Sequence, residues 1–387
     1  MSPSMTLPLE TKTQDDSRFK NSYHKGVKHL CDSGIVTTKV PSKYVLPSSE
    51  RHEMPQKHST ADRKQSIKLP VIDFAQLQGP NRSQVLESLD KACQEYGFFQ
   101  VINHGISDNV ISNMIDVAKR FFELPFEERS RYMSSDMFAP VRYGTSLNQN
   151  KDDVFCWRDF LKLMCQPEAL HHWPCSPMDF RKEVATYTKQ TKNLFMRVME
   201  AVLESLGVVG TTEEEEDVNQ DNNVINEFQD GSQLVVFNCY PVCPEPDLTL
   251  GMPPHSDYGF LTLLLQDDVK GLQIQHQGNW VTVQPIPNSF VVNVGDHLEI
   301  FSNGKYKSVL HRVIVNPSKS RVSVASLHSL PFDSMIRPSS KLIDEMNPRK
   351  YKDTDFASFL AYITSCEPKS KKFLESRKLS FEKTDRI

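Results

Sequence analysis

The chain has 387 residues, with 45 Lys plus Arg against 49 Asp plus Glu and a formal net charge of −4. This length can bury a sizeable core, and the near-neutral balance gives no electrostatic footprint for nucleic acid or for an anionic membrane. No apolar run approaches the roughly 20 residues of a membrane span, and the start, MSPSMTLPLETKTQDDSRFK, lacks the pattern of a signal peptide. A soluble, cytoplasmic protein is expected. The eight cysteines (31, 93, 156, 165, 175, 239, 243 and 366) include no C-x2-C pair and read as reduced thiols. The C-x3-C at Cys239 and Cys243 has no second pair to complete a zinc site.

Residues 1–66 are polar and read as a flexible arm, with one short helix around residues 26–33. Order begins at the strand LPVIDF (69–74). Ser83 can cap a helix through SQVLESLDKACQEY that ends at Gly97, and FFQVINHG follows as a β-rich strand. A second helix starts behind Ser107 and is interrupted at Pro125, and a long one runs over 179–206 to Gly207. Residues 67–210 are therefore a mostly helical region. Residues 211–230 begin with TTEEEEDVNQDNN and read as a solvated acidic loop.

Between 231 and 335 the texture changes to short β-branched runs (QLVVFNCYP, FLTLLLQD, GLQIQ, KSVLHRVIVN, RVSVASLHSLPF) separated by Gly, Pro, Asn and Asp. That spacing indicates a sandwich or barrel. One helical turn interrupts it at GDHLEIFSNG, where Asp296 and Glu299 have capping-box spacing. Residues 336–387 return to helix, notably DTDFASFLAYITSC.

The chemistry concentrates in HSDYGFLTLLLQ. On a strand, residues i and i+2 share a face, so His255 and Asp257 project side by side ahead of an apolar run. A third ligand belongs on a neighbouring strand, where His276, His297, His311 and His328 are candidates. His276 lies in a polar turn and His297 in the helical turn; His311, in an apolar strand, is best placed, with His328 in reserve. Two histidines and a carboxylate leave about three octahedral positions open, which suits non-haem Fe(II) oxygen chemistry; a structural zinc site closes with four protein ligands. Ten residues past His311, Arg321 and Ser323 share the face of another apolar strand. An arginine there is costly unless its charge is paired, and its fork suits a carboxylate. A carboxylate-bearing co-substrate beside an open metal site accounts for it; pairing with a protein Asp or Glu is the alternative.

These residues sit in blocks (LPVIDF, GFFQVINHG, FFELPFEER, NCYPVCPEPDLTLGMPPHSD, LTLLLQDDVKGLQI, VNVGDHLEIFSNGKYKSVLHRV, RVSVASL) over about 69–373. Together they resemble the plant 2-oxoglutarate and Fe(II)-dependent dioxygenases, a group that includes flavanone hydroxylases, flavonol and anthocyanidin synthases and salicylate hydroxylases. WRDFLKLMC and YKDTDFASFLAYI look most like the branch of flavone synthase-like and salicylate hydroxylase-like enzymes.

The resemblance implies an α+β chain with a double-stranded β-helix (jelly-roll) core over 231–335, flanked by N-terminal and C-terminal helices. It implies Fe(II) on His255, Asp257 and His311, with 2-oxoglutarate on Arg321 and Ser323, helped by Tyr240 and Asn238. O2 would be consumed with ascorbate as reductant, releasing succinate and CO2 as a small lipophilic or phenolic plant metabolite is hydroxylated or desaturated. By position, Tyr143, Phe160 and Leu327 could line the substrate pocket; Leu327 departs from the aromatic residue that some flavonoid-acting members place there. His104 is read as structural. A monomer without nucleic-acid or membrane partners is expected. The rival readings are an ascorbate-dependent oxidase of the same fold and an inactive jelly-roll binding protein. A zinc hydrolase lacks a general base and leaves Arg321 unexplained.

Overall fold

The structure, a computed structural model, describes residues 23–36, 38–51, 68–146, 152–209, 220–365 and 372–379. Its strands form two sheets. The larger runs, in spatial order, β1 (Val71–Asp73), β2 (Phe98–Ile102), β10 (Phe290–Val294), β7 (Leu261–Gln266), β12 (Arg321–His328), β5 (Gln233–Tyr240), β4 (Asp159–Met164), β3 (Val141–Thr145). The smaller runs β6 (Met252–His255), β11 (His311–Val313), β8 (Leu272–His276), β9 (Asn279–Thr282).

Helices α1 (Val27–Asp32) and α2 (Ser48–Arg51) precede the sheets, and α3 (Arg82–Lys91), α4 (Asp108–Glu123), α5 (Phe126–Ser130) and α6 (Phe180–Leu206) fall among the first strands. After them come α7 (Gln220–Gln229), α8 (Asp296–Phe301), α9 (Phe356–Ser365) and α10 (Lys372–Arg377). None of the described helices is long and apolar enough to cross a membrane.

Alternation along the strands gives the larger sheet two different faces. Val235, Phe237, Leu261, Leu263, Val292, Val322 and Val324 join one core with Val117 and Phe121 of α4 and Val198 and Val202 of α6. These helices dock because their apolar residues recur at helical spacing: α4 buries Ile111, Met114, Val117, Ala118, Phe121 and Phe122. Ser107 is the N-cap residue of α4, and Gly207 ends α6 in the left-handed region at φ 79°. On the other face Phe98, Leu264 and Val291 meet Leu272, Ile274 and Val281 of the smaller sheet. This is the expected α+β architecture, with helices outside and a two-sheet interior.

Three expectations change. The N-terminal 66 residues are not wholly a loose arm: Val27, Leu30 and Tyr44 are fully buried against Phe155, Trp157, Tyr240 and Val313. A fully buried apolar side chain of this kind contributes about 1.5–3 kcal/mol, enough to hold the segment down; residues 1–22 and 52–66 lie outside the described residues. The region read as mostly helical supplies β1–β4, both ends of the larger sheet. The second half of the presumed acidic loop is α7, anchored by buried Val224 and Phe228, whereas Glu213–Asp217 lies outside the described residues.

Candidate active site

His255 and His311 face each other directly across the antiparallel β6–β11 pair, their ring centroids 4.1 Å apart. Each Nδ1 sits by the carbonyl oxygen two residues earlier, Pro253 at 2.8 Å and Val309 at 3.4 Å. A proton on Nδ1 donates to that carbonyl and leaves the Nε2 lone pair free for a ligand.

Asp257 is not on the same strand as His255. β6 ends at His255, and Asp257 lies in the turn that leads to β7, so the two residues do not share a strand face as expected. Helix α8 holds that turn. Its first N–H groups lack helical partners and donate to the turn instead, Asp296 N to Asp257 O at 2.8 Å and His297 N to Tyr258 O at 3.1 Å. The approach is so close that a Cβ on Gly295 would lie 2.0 Å from Gly259 O. Asp296 is therefore not the capping residue: Gly295 is the N-cap, and the Asp296 carboxylate accepts from Ser256 Oγ and Ser308 Oγ at 3.1 and 2.7 Å.

Asp257 Oδ1 lies 3.8 Å from Nε2 of both histidines. Its Oδ2 is occupied, accepting from Thr262 Oγ1 at 2.6 Å and Asn293 Nδ2 at 2.9 Å. Burial would push this carboxyl up, but the two imidazoles and the two hydrogen bonds outweigh it and hold it below its ordinary value. Burial, reinforced by His311, pushes His255 down to about 3, so the ring is neutral, the form that ligates metals. The three potential donor atoms lie within 4.8 Å of one another, and among the described residues no other trio of His, Cys, Asp or Glu does so.

Arg321 is buried in the same cavity. Its Nη2 donates to Gln266 Oε1 at 2.8 Å, its Nε to Val269 O at 3.2 Å and its Nη1 to Ser323 Oγ at 3.3 Å. The guanidinium carbon is 5.2 Å from the Tyr240 ring centroid. No described carboxylate lies within ion-pair distance of it; Asp267, which accepts from Val322 N at 2.7 Å and whose carboxyl burial raises and the Arg321 charge lowers, acts from further away. The register explains the grouping: Arg321 pairs with Tyr240, and Ser323 with Asn238. All four line a cavity of about 150 Å³ together with His255, Asp257 and His311. The donor set, two imidazoles and a carboxylate on one side of an open space, fits Fe(II), and the guanidinium, with no carboxylate among the described residues in contact with it, fits a second, anionic ligand.

Two family models match the chain: residues 231–329 the 2OG-Fe(II) oxygenase superfamily, and residues 69–180 the N-terminal region described as "non-haem dioxygenase in morphine synthesis". The Arabidopsis thaliana protein DMR6-LIKE OXYGENASE 1 is 40% identical over 80% of this chain and 84% of its own length. The chain belongs to the 2OG-Fe(II) oxygenase superfamily. Flavanone 3-dioxygenase 2 of Oryza sativa subsp. japonica is 38% identical over 86% of this oxygenase and 92% of its own length. The crystal structure of JOX2 in complex with 2OG, Fe and JA superposes with a TM-score of 0.78 at 31% identity, covering 92% of this chain and 98% of that one. The oxygenase is an oxidoreductase of the dioxygenase type, with Fe(II) and 2-oxoglutarate as its cofactor and cosubstrate.

The three proposed pocket residues separate. Leu327 lines the cavity. Phe160, opposite Asn238 on β4, shares its face but stands outside the lining. Tyr143 is a correction: its side chain is in a buried network, accepting from Arg129 Nη1 and donating to Asp159 Oδ2, both at 2.9 Å, because residues of odd number on β3 point away from the cavity. The other histidines belong to the body of the oxygenase. His328 stacks on Phe195 at 4.4 Å, His276 stacks on Tyr96 at 4.8 Å, and His297 lies 2.8 Å from Ser329 Oγ. His104 Nε2 lies 3.0 Å from Asn288 O, the structural role expected of it.

Sequence reasoning missed Thr262, Asn293, Phe98 and Arg158, all in the lining. Thr262 and Asn293 did leave a signal. Each is the single polar residue within an apolar strand core, in FLTLLL and VVNV, at an inward position where only a specific partner justifies it.

Proposed function

We propose that His255, Asp257 and His311 hold the Fe(II), that Arg321 and Ser323 hold the distal carboxylate of 2-oxoglutarate, and that Tyr240 and Asn238 complete its cradle. The substrate is a small lipophilic or phenolic plant metabolite, hydroxylated or desaturated by a cytoplasmic monomer without nucleic-acid partners. The observation that carries this reading is the convergence of three metal-capable side chains beside a buried arginine lacking an ion-pair partner among the described residues, in one cavity. Bound iron supplies the O2 chemistry that couples conversion of 2-oxoglutarate to succinate and CO2 with oxidation of the substrate.

The chain's own residues do the positioning. The Pro253 and Val309 carbonyls fix the proton of each imidazole on Nδ1. Thr262 and Asn293 hold one oxygen of Asp257 and aim the other inward. Gln266 and the Val269 carbonyl fix the guanidinium plane so that its remaining donors meet a carboxylate. Phe98, its ring centroid 5.4 Å from that of His311, and Leu264 keep water from the metal side.

The test is succinate release, measured with Fe(II), O2 and 2-oxoglutarate against flavonoids, coumarins, phenolic acids, terpenoids and alkaloids. Expected is one succinate per oxidised substrate, and loss of both iron binding and turnover in His311→Ala and Asp257→Ala. Substrate oxidation without succinate would instead indicate the ascorbate-dependent oxidase, and full activity in either variant would contradict the ligand assignment.

A further inference from the structure

The iron assignment leaves the C-terminal segment without a role, although it packs against the one proposed ligand that lies outside a strand. Asp257 stands in the turn between β6 and β7, and the next residue, Tyr258, is buried with 5% of its surface exposed. Its ring meets two phenylalanines of α9, Phe356 at 5.1 Å and Phe359 at 5.0 Å between centroids, the second stacked with 29° between the planes. Behind them Phe332 stacks on Phe356 at 4.3 Å, and Phe373 of α10 stands edge-on to Phe359 at 5.2 Å.

The same segment grips α8, whose N-terminus holds the backbone of that turn. Tyr351 Oη donates to Glu299 Oε1 at 2.8 Å, Ser339 N to Phe301 O at 2.9 Å and Lys350 N to Asn303 Oδ1 at 2.8 Å. The fit is close at Gly304, where φ is 81° and a Cβ would lie 3.3 Å from the Tyr351 ring. Lys352 N and Leu379 N donate to Arg377 O and Lys350 O, each at 2.8 Å, and close the segment onto α10. The C-terminal segment thus reaches the Asp257 turn by two routes, through the Tyr258 ring and through α8.

Core packing alone would account for aromatic residues on α9, but not for their falling on this residue. Tyr258 is covalently next to Asp257, and its carbonyl already accepts from His297 N at 3.1 Å, so ring and carbonyl are held together. Thr262 and Asn293 fix the carboxylate plane of Asp257, while the backbone that carries it lies outside any strand. A ligand on a turn must be ordered before a metal can use it, and contacts that order it beforehand lower the cost of binding.

We propose that α9 is a positioning element for the iron site: Phe356 and Phe359, packed on Tyr258, hold the Asp257 turn in its metal-binding form. This rests on the reading of Asp257 as a ligand. Tyr258, Phe356 and Phe359 are positioning residues that act through Asp257, and none of the three lines the cavity. The stretch DTDFASFLAYITSC, helical in sequence and otherwise unassigned, gains a function at the metal centre.

The test is anaerobic titration of the full chain with Fe(II) and with Co(II), whose visible bands report the geometry of its ligands. Tyr258→Leu keeps an apolar side chain without the ring. It is expected to bind both metals about tenfold more weakly, the worth of two aromatic pairs, with the Co(II) bands shifted. Tyr258→Phe keeps the ring and stays within about twofold of the wild type, its bands unshifted. Phe359→Ala acts from the helix and weakens binding about threefold. Because the two positions share one contact, the double variant Tyr258→Leu, Phe359→Ala binds at most about twofold more weakly than Tyr258→Leu. Leu89→Ala, which empties core volume at α3, lowers stability but leaves metal affinity and bands as in the wild type. A merely structural role would make the Tyr258 and Phe359 variants behave like Leu89→Ala.

The proposal is overturned by folded Tyr258→Leu or Phe359→Ala protein that binds Co(II) with wild-type affinity and bands, or by effects of the two that add. It also falls if Tyr258→Phe weakens the metal as much as Tyr258→Leu. Should Tyr258→Leu not fold, Phe359→Ala decides alone, since Phe359 is only partly buried. Failure of the underlying ligand assignment is visible separately, as Asp257→Ala protein that still binds Co(II), and takes this proposal with it.

Discussion

Asp257 uses its two oxygens differently, and this division is the most consequential feature of the site at the scale of single residues. Oδ2 accepts from Thr262 and Asn293, which fixes the carboxylate plane and leaves Oδ1 toward the histidines. Thr262→Val and Asn293→Ala each remove one of these bonds without touching a proposed ligand. Iron affinity is expected to fall about 10–100-fold in each, read by anaerobic Fe(II) titration; unchanged affinity would mean that the carboxylate needs no such support. Arg321→Lys is expected to raise the 2-oxoglutarate concentration needed for half-maximal succinate formation at least about tenfold, because an ammonium cannot hold a carboxylate through two parallel bonds. His311, Arg321 and Ser323 were legible as candidates because each is chemically out of place in an apolar run, and His255 and Asp257 because they stand paired directly ahead of one. Arg158 was not. Its place in the cavity lining depends on Tyr240 standing beside it on the next strand, which is not a property of local sequence.

At the scale of elements, the segment before α2 is tied to the cavity-forming strands through one buried carboxylate. Asp159, on β4, accepts from the backbone N–H groups of Val27 and Lys28 at 2.8 and 3.1 Å, and from Tyr143 Oη at 2.9 Å. Arg129 lies 3.8 Å from it. Burial pushes the Asp159 carboxyl up in spite of Arg129, so the group depends on these donors. Asp159→Ala strands the buried Arg129 and two backbone donors, and is expected to cost about 3–5 kcal/mol in denaturant unfolding. Gly26→Ala acts on the same joint from the other side: φ is 94°, and a Cβ there would lie 2.6 Å from both Asp159 carboxylate oxygens. It is expected to release α1 and expose residues 27–46 to limited proteolysis, and a wild-type cleavage pattern would argue against the joint. Nothing in the sequence announced this anchoring. Val27, Leu30 and Tyr44 are sparse among polar neighbours, and their burial follows from a surface made by Trp157, Tyr240 and Val313, far along the chain. The strands from 231 to 335 and helices α4 and α6 were legible for the opposite reason, since their apolar spacing is local and dense.

The molecule as a whole encloses histidines that its interior keeps neutral, and this sets how its stability responds to acid. His297 and His328 are almost wholly buried, and His297 Nε2 and His328 Nδ1 have no hydrogen-bond partner. Burial pushes His297 down to about 3 and His328 well below its ordinary value; His104 is lowered by burial in the same sense. In the unfolded chain these rings titrate near their ordinary value of about 6.5. Above that pH neither state binds the proton and the full stability is present. Below it the unfolded state takes up protons that the folded state refuses, so stability falls as pH falls, by about 1.4 kcal/mol per pH unit for each proton. His297 and His328 together give a slope approaching about 3 kcal/mol per unit between pH 6 and 5. His255, also pushed down to about 3, and His104 add to this decline. Asp159 and Asp267, whose carboxyls burial raises, act in the opposite sense, and the measured slope is the net of them. Urea unfolding of the metal-free protein at intervals from pH 7.5 to 5 is expected to show a plateau and then this decline. The double variant His297→Asn, His328→Gln is expected to begin from lower stability and to show a shallower slope, the remainder coming from His255 and His104. A wild-type profile flat down to pH 5 would mean that these rings gain protons inside the fold, and the dry interior around Phe195 and Tyr258 would then have to admit water.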